Sequence, residues 1–140
     1  MRIMNRPQSG SALRSGLITV GVICILLALA ATLLPRGFSD DVTRIGQGSS
    51  TVVLVHNKEA VLSQELMTLL NRVRSDYEPD VLFLAVDVAT PNGKTFAQAQ
   101  GVNDSVILLF GPDGTRRGII GAVRDESSLR AALNAAFAAN

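Results

Sequence analysis

Few side chains in this chain could do chemistry, and they do not cluster. Among 140 residues there is one cysteine, Cys24, and one histidine, His56. Cys24 lies inside an apolar run, where its ordinary role is that of a small buried hydrophobe. No thiol exists from residue 25 onward, so thiolate chemistry has no local nucleophile there. His56 closes an apolar, β-branched run, the place of a polar strand end; a lone histidine makes neither a metal site nor a catalytic pair. Ser63 reads as an exposed helix residue rather than a nucleophile. Asp87 is the one charge in VLFLAVDV and is expected to bond to the turn that follows. Gly111-Pro112-Asp113-Gly114 is a turn: it lacks the spacing and the lysine of a phosphate loop. Arg116-Arg117 reads as protection of a sheet edge or as a contact for an acidic partner. No Cys/His group has metal-ligand spacing, so neither a metal nor another cofactor is expected.

Charge and hydropathy place these residues. The chain carries thirteen Lys/Arg and twelve Asp/Glu, a net charge of +1. Arg2, Arg6 and Arg14 precede the apolar run with no acidic residue among them, leaving the remainder weakly acidic. With one tyrosine, no tryptophan and no basic stripe, it is a poor nucleic-acid binder. Gly16 to Leu34 (GLITVGVICILLALAATLL) has no charge. At ~1.5 Å per residue it is ~28 Å long as a helix, against ~30 Å of bilayer hydrocarbon. The organisation expected is therefore a cytoplasmic arm over 1–15, a transmembrane signal anchor over 16–34, a linker over 35–50 and a folded domain over 51–140. The arginine bias puts the N-terminus inside and the domain outside, on the periplasmic side of a bacterial inner membrane. The competing reading is a signal peptide cleaved after Ala30, because Ala28-Leu29-Ala30 has the form of a cleavage site.

The domain alternates two periodicities. Thr51–His56 is apolar on both faces, as a strand buried on both sides must be. Asn57 is a candidate N-cap. Leu62, Leu66, Leu69, Leu70, Val73 and Tyr77 recur at helical steps, ended by Pro79. Val81–Val88 is a second buried strand. Thr90-Pro91 opens a short helix and Gly101 closes it. Ser105–Phe110 is a third strand, joined by the Gly-Pro-Asp-Gly turn to a fourth, Thr115–Val123. Asp125 then caps a helix with the stripe Leu129, Ala132, Leu133, Ala136 and Phe137. Val42–Ile45 is expected as a short edge strand. The order βαβαββα implies two right-handed parallel crossovers and then an antiparallel hairpin: an α/β fold with a mixed four-stranded sheet, helices on both faces and one N-terminal transmembrane helix.

Several strings, in this order and spacing, resemble the thioredoxin-like superfamily over Val52 to Phe137. They are VVLV, LFLAVDV ending in an aspartate, Ala99-Gln100-Gly101-Val102, ILLF-GPDG (Ile107 to Gly114) and Ile120-Gly121-Ala122. The resemblance implies a redox C-x-x-C at the start of the helix after the first strand, and a cis-proline before the third strand facing it. This chain departs at both. An ungapped match puts Leu62 and Glu65 at the cysteine positions; a short gap puts Ala60 and Ser63 there. Ser105 stands nearest to the proline position. Disulfide attack needs a thiolate, which a serine hydroxyl does not replace.

A redox-inactive, membrane-anchored thioredoxin-like protein follows, binding or helping to assemble an unidentified envelope or membrane protein. It is not expected to be an enzyme. The contact surface expected is the rim of the former active site: His56, Asn57, Ala60, Val61, Ser63 and Ser105. Val61 and Leu62 form an apolar patch there if exposed; burial under the linker is the other reading. The alternatives are an oxidoreductase-related subunit that uses its partner's thiols, a cleaved periplasmic binding domain, and an accessory subunit in which the single helix does the packing.

Overall fold

The computed structural model describes residues 11–33 and 37–138. They fall into two compact units, divided in sequence between Gly37 and Phe38. The first holds α1, Ser11–Leu33, one continuous helix of 23 residues. Its side chains are described over 16–32 and are exposed throughout. Among the described residues no helix is long and apolar enough to cross a membrane. Leu34, the last residue of the expected span, and residues 1–10 of the expected arm lie outside the described residues.

The second unit is built on a four-stranded sheet in the order β2-β1-β3-β4. Its strands are β1 (Ser50–His56), β2 (Val81–Asp87), β3 (Val106–Phe110) and β4 (Arg116–Gly121). β1 is a central strand, and Val52 to Val55 are all wholly buried. Because successive residues point to opposite faces, its consecutive apolar residues feed two cores. Val52 and Leu54 pack with Phe83, Ile107, Leu109 and Ile120 beneath α2 (Val61–Val73) and α4 (Glu126–Phe137). Val53 and Val55 pack with Leu84, Val86, Leu108 and Phe110 beneath α3 (Pro91–Gln100), which contributes Phe96 and Ala97.

The expected helix ends hold for α3 and α4. Thr90 accepts from the Gly93 N–H, Pro91 is the first helical residue, and Gly101 closes α3 at φ +67°. Asp125 accepts from the Ser128 N–H at the start of α4. α2 stops at Val73 and tightens into a 3-10 turn over Arg74–Asp76. Beyond it, the Tyr77 hydroxyl donates to Asn134 Oδ1 at 2.9 Å and ties the turn to α4.

Four expectations are corrected. The second crossover is not parallel: β1 pairs parallel with β2 and antiparallel with β3. Val55 is opposite both Val86 and Val106, so the connection through α3 begins and ends at the same end of the sheet. A single ten-residue helix followed by a left-handed glycine brings the chain back there instead of across. Asn57 is not the cap of α2. Its side chain accepts from the Glu59 N–H, its carbonyl accepts from the Ala60 N–H, and Ala60 is the N-cap without a side-chain bond. That local turn competes with earlier helix entry. β4 ends at Gly121 rather than Val123, because Ala122 turns to φ +51°.

The fourth correction concerns the segment from 35 to 50. From Phe38 it is a strap packed on the sheet. Phe38 lies under the Arg74 guanidinium, 5.0 Å from the ring centre. The Ser39 carbonyl accepts from the Ala85 N–H at 2.9 Å on the outer edge of β2. Val42–Arg44 is a 3-10 turn, not an edge strand, because Asp41 accepts from the Thr43 N–H. Val42 and Ile45 cover the α3-side core. Gly46 and Gly48, both at positive φ, then bring the chain against the β3–β4 hairpin. The Gly48 N–H donates to the Pro112 carbonyl at 3.0 Å, and a Cβ on Gly46 would lie 3.1 Å from Gly114 Cα.

Candidate functional site

The carboxyl end of β1 gathers the side chains expected to matter. The sequence there leaves a strand at His56, makes a tight turn over Asn57–Ala60, and enters α2 at Val61. The turn places Ser63, in the first turn of α2, back against the strand end. Ser63 is 1% exposed and Ser105 is 9% exposed. Their hydroxyls lie 2.7 Å apart, and the Asn57 N–H donates to Ser63 Oγ at 3.0 Å. This corrects Ser63 as an exposed helix residue. The two serine hydroxyls are turned toward each other.

The pair is not a nucleophile and base. An activated hydroxyl needs a proton acceptor of suitable pKa within hydrogen-bond reach. The partners of Ser63 are an amide N–H and a second hydroxyl. Ser105 adopts φ +59° to present its side chain, a conformation that costs an L-residue about 1–2 kcal/mol.

Three charged or titratable groups sit beside the pair. His56 is opposite Asp87 in the parallel register of β1 and β2. Asp87 Oδ1 accepts from the Ala89 N–H at 2.9 Å, as expected for a strand-end aspartate. Asp87 Oδ2 lies 3.1 Å from Lys58 Nζ. The Ala89 N–H, with help from Lys58, holds the Asp87 carboxyl below the usual carboxylate range. Partial burial pushes the His56 imidazole below its ordinary 6.5, with Asp87 opposing the shift. Among the described residues no group of His, Cys, Asp and Glu could hold a metal ion.

Beside this buried centre the surface has two depressions, both bordered by Gln64 and Thr68 of α2. One, of about 440 Å³, is lined by His56, Asn57, Lys58, Ser63, Gln64, Met67 and Thr68. The other, of about 810 Å³, runs from Val61 and Leu62 past Glu65 and Leu69 to Arg72 and Arg124. Val61, in the lining of the second, is 71% exposed, so of the two readings for this residue exposure holds; Leu62 is half-buried. Ala60 is half-buried as well. The structure thus brings His56, Asn57, Ala60 and Val61 to one rim and puts Ser63 and Ser105 beneath it. Sequence reasoning missed Met67 and the Lys58–Asp87 ion pair. Met67 lies off the apolar stripe of α2, and the ion pair depends on the parallel register of two strands distant in sequence.

No protein-family model matches the chain, and no curated protein matches it. Solved structures do. Thioredoxin O2 from Arabidopsis thaliana, in its oxidized state, superposes with a TM-score of 0.56 at 14% identity, covering 66% of this chain and 83% of that one. A mutant thioredoxin from Halobacterium salinarum gives 0.55 at 21% identity, over 69% and 80%. Mitochondrial thioredoxin 3 from Saccharomyces cerevisiae, oxidized, gives 0.54 at 22% identity, over 65% and 82%. At these identities the likeness shows the fold: the chain has a thioredoxin-like α/β domain.

Proposed function

We propose that this protein is a redox-inactive, membrane-anchored thioredoxin-like module that binds or helps assemble an envelope or membrane protein. One observation carries the reading. In the fold it shares, a redox pair at the start of the helix after the first strand faces a proline before the third strand. Here the residues facing each other across that gap are Ser63 and Ser105, joined at 2.7 Å. This contact favours the register that puts Ala60 and Ser63 at the cysteine positions, and neither carries sulfur. A hydroxyl pair closed on itself supplies no thiolate to attack a disulfide. What remains outward is a rim of His56, Asn57, Ala60 and Val61, suited to recognition.

The anchor rests on the sequence alone, on Gly16–Leu34 being free of charge. The bias of Arg2, Arg6 and Arg14 supports an inside N-terminus and a domain on the periplasmic side.

The test uses the full-length chain, tagged at its C-terminus and recovered from membranes in mild detergent. Wild type is expected to bring down a partner in fixed proportion, and Val61→Glu to lose it while keeping the same melting temperature. Unchanged recovery with Val61→Glu counts against this rim. Thiol–disulfide exchange by the purified chain alone would overturn the redox-inactive reading.

A further inference from the structure

The two edges of the sheet are treated differently. The outer edge of β2 is closed by the protein's own strap through the Ser39 carbonyl. β4 is the other terminal strand, and among the described residues nothing pairs with its outer edge. An open edge is a template for another strand unless charge, proline or a bulge blocks it. The two arginines that read as such a block fold away from it. Arg116 donates to the Gln100 carbonyl at 2.7 Å. Arg117 reaches back over Gly111, where its guanidinium would meet a Cβ at 2.8 Å, and draws on Asp113. The stretch Gly118-Ile119-Ile120-Gly121 is left clear. Ile120 is buried in the protein's own core, but Ile119 is 50% exposed. Within the domain, Val61 is the other large apolar side chain so exposed among the described residues.

We infer that β4 is a self-association edge: two copies pair antiparallel through β4 about a two-fold axis at Ile119, joining two four-stranded sheets. The occupant follows from the order of residues along the strand. In this register Ile119 faces Ile119 of the second copy, so the exposed apolar side chain is covered by its own equivalent, the kind of cross-strand pair that stabilises a sheet. Gly118 faces Ile120, and Arg117 faces Gly121. No like charges are opposed and each arginine has a glycine or alanine across from it. The interface is isologous, as a two-fold contact must be. It stands independently of which partner occupies the α2 rim.

The test uses the full-length chain in detergent, with Cys24→Ser so that an introduced cysteine is the sole thiol. Ile119→Cys lies on the axis and is expected to give a covalent dimer on mild oxidation, while Thr115→Cys, exposed but off the axis, remains monomeric. In sedimentation, Ile119→Lys and Ile119→Glu are each expected to run as monomers where wild type is dimeric. Mixing the two in equal amounts should restore the dimer, because opposite charges then meet at the axis. A wild-type chain that stays monomeric, a dimer that survives both charged variants, or equal cross-linking at positions 115 and 119 would overturn the inference. A monomer that captures an acidic foreign strand on β4 would overturn it equally.

Discussion

Replacing Ser63 with alanine tests whether the serine pair is the structural centre of the site. The hydroxyl is 1% exposed and serves two groups, the Asn57 N–H and Ser105 Oγ. Removing it leaves Ser105, itself 9% exposed, without its buried partner. Leaving a buried polar group unpaired costs about 1–3 kcal/mol. Asn57 is half-buried, so its N–H regains water and adds little. The expected loss is therefore about 1–3 kcal/mol, and in a domain of this size each kcal/mol lowers the melting temperature by roughly 4–8 °C. Ser105→Ala should cost less, since Ser63 keeps the Asn57 N–H. Ser105→Gly should fall close to wild type, because glycine relieves a left-handed strain of about 1–2 kcal/mol while losing the hydrogen bond. A double-mutant cycle of the two alanine variants, read by thermal denaturation in far-ultraviolet circular dichroism, should give a coupling of about 0.5–3 kcal/mol. A coupling near zero, or a Ser63→Ala variant as stable as wild type, would refute the view that this bond holds the loop.

Other perturbations have defined outcomes. The His56 pKa is depressed in the folded state, so the unfolded chain binds more protons between the folded value and 6.5. Stability then rises with pH through that window and is lost as pH falls below about 6.5; melting temperatures across this range should lose that slope in His56→Gln. Gly93→Ala puts a Cβ 2.0 Å from the Asp87 carbonyl oxygen, so α3 must lift from the end of β2. A loss of about 3 kcal/mol or more is expected, seen as rapid proteolysis at the α3 boundary. Asp125→Ala removes the acceptor of the Ser128 N–H and should cost about 1 kcal/mol, measured by urea denaturation. Ala60→Cys with Ser63→Cys should form an intramolecular disulfide if those two positions are the redox register; a pair that stays reduced under mild oxidant argues for the other alignment.

What the sequence disclosed follows the range of the interaction involved. Consecutive apolar residues in VVLV, LFLAV and ILLF could be read as strands buried on both faces, since that pattern needs no partner to interpret. Thr90, Gly101 and Asp125 were legible because caps act within three or four residues. The direction of β3 was not, because a short helix can either cross the sheet or return to the same end, and only the register with β1 decides. Ser63 was misread for the same reason. Its spacing puts it off the leucine stripe, and its burial depends on Ser105, forty-two residues away. The Lys58–Asp87 ion pair likewise exists only once β1 and β2 lie parallel.

The strap from Phe38 to Gly48 changes where this protein can be cut. A recombinant fragment started at residue 51, the boundary that composition suggests, would lose the Ser39 carbonyl that closes β2 and the Val42 and Ile45 side chains over the second core. Its exposed strand would then be free to recruit others, and the fragment should precipitate on concentration. One started just before Phe38 keeps the cover and should remain dispersed. Limited proteolysis of the domain should leave a resistant product that begins near Phe38 rather than near Thr51.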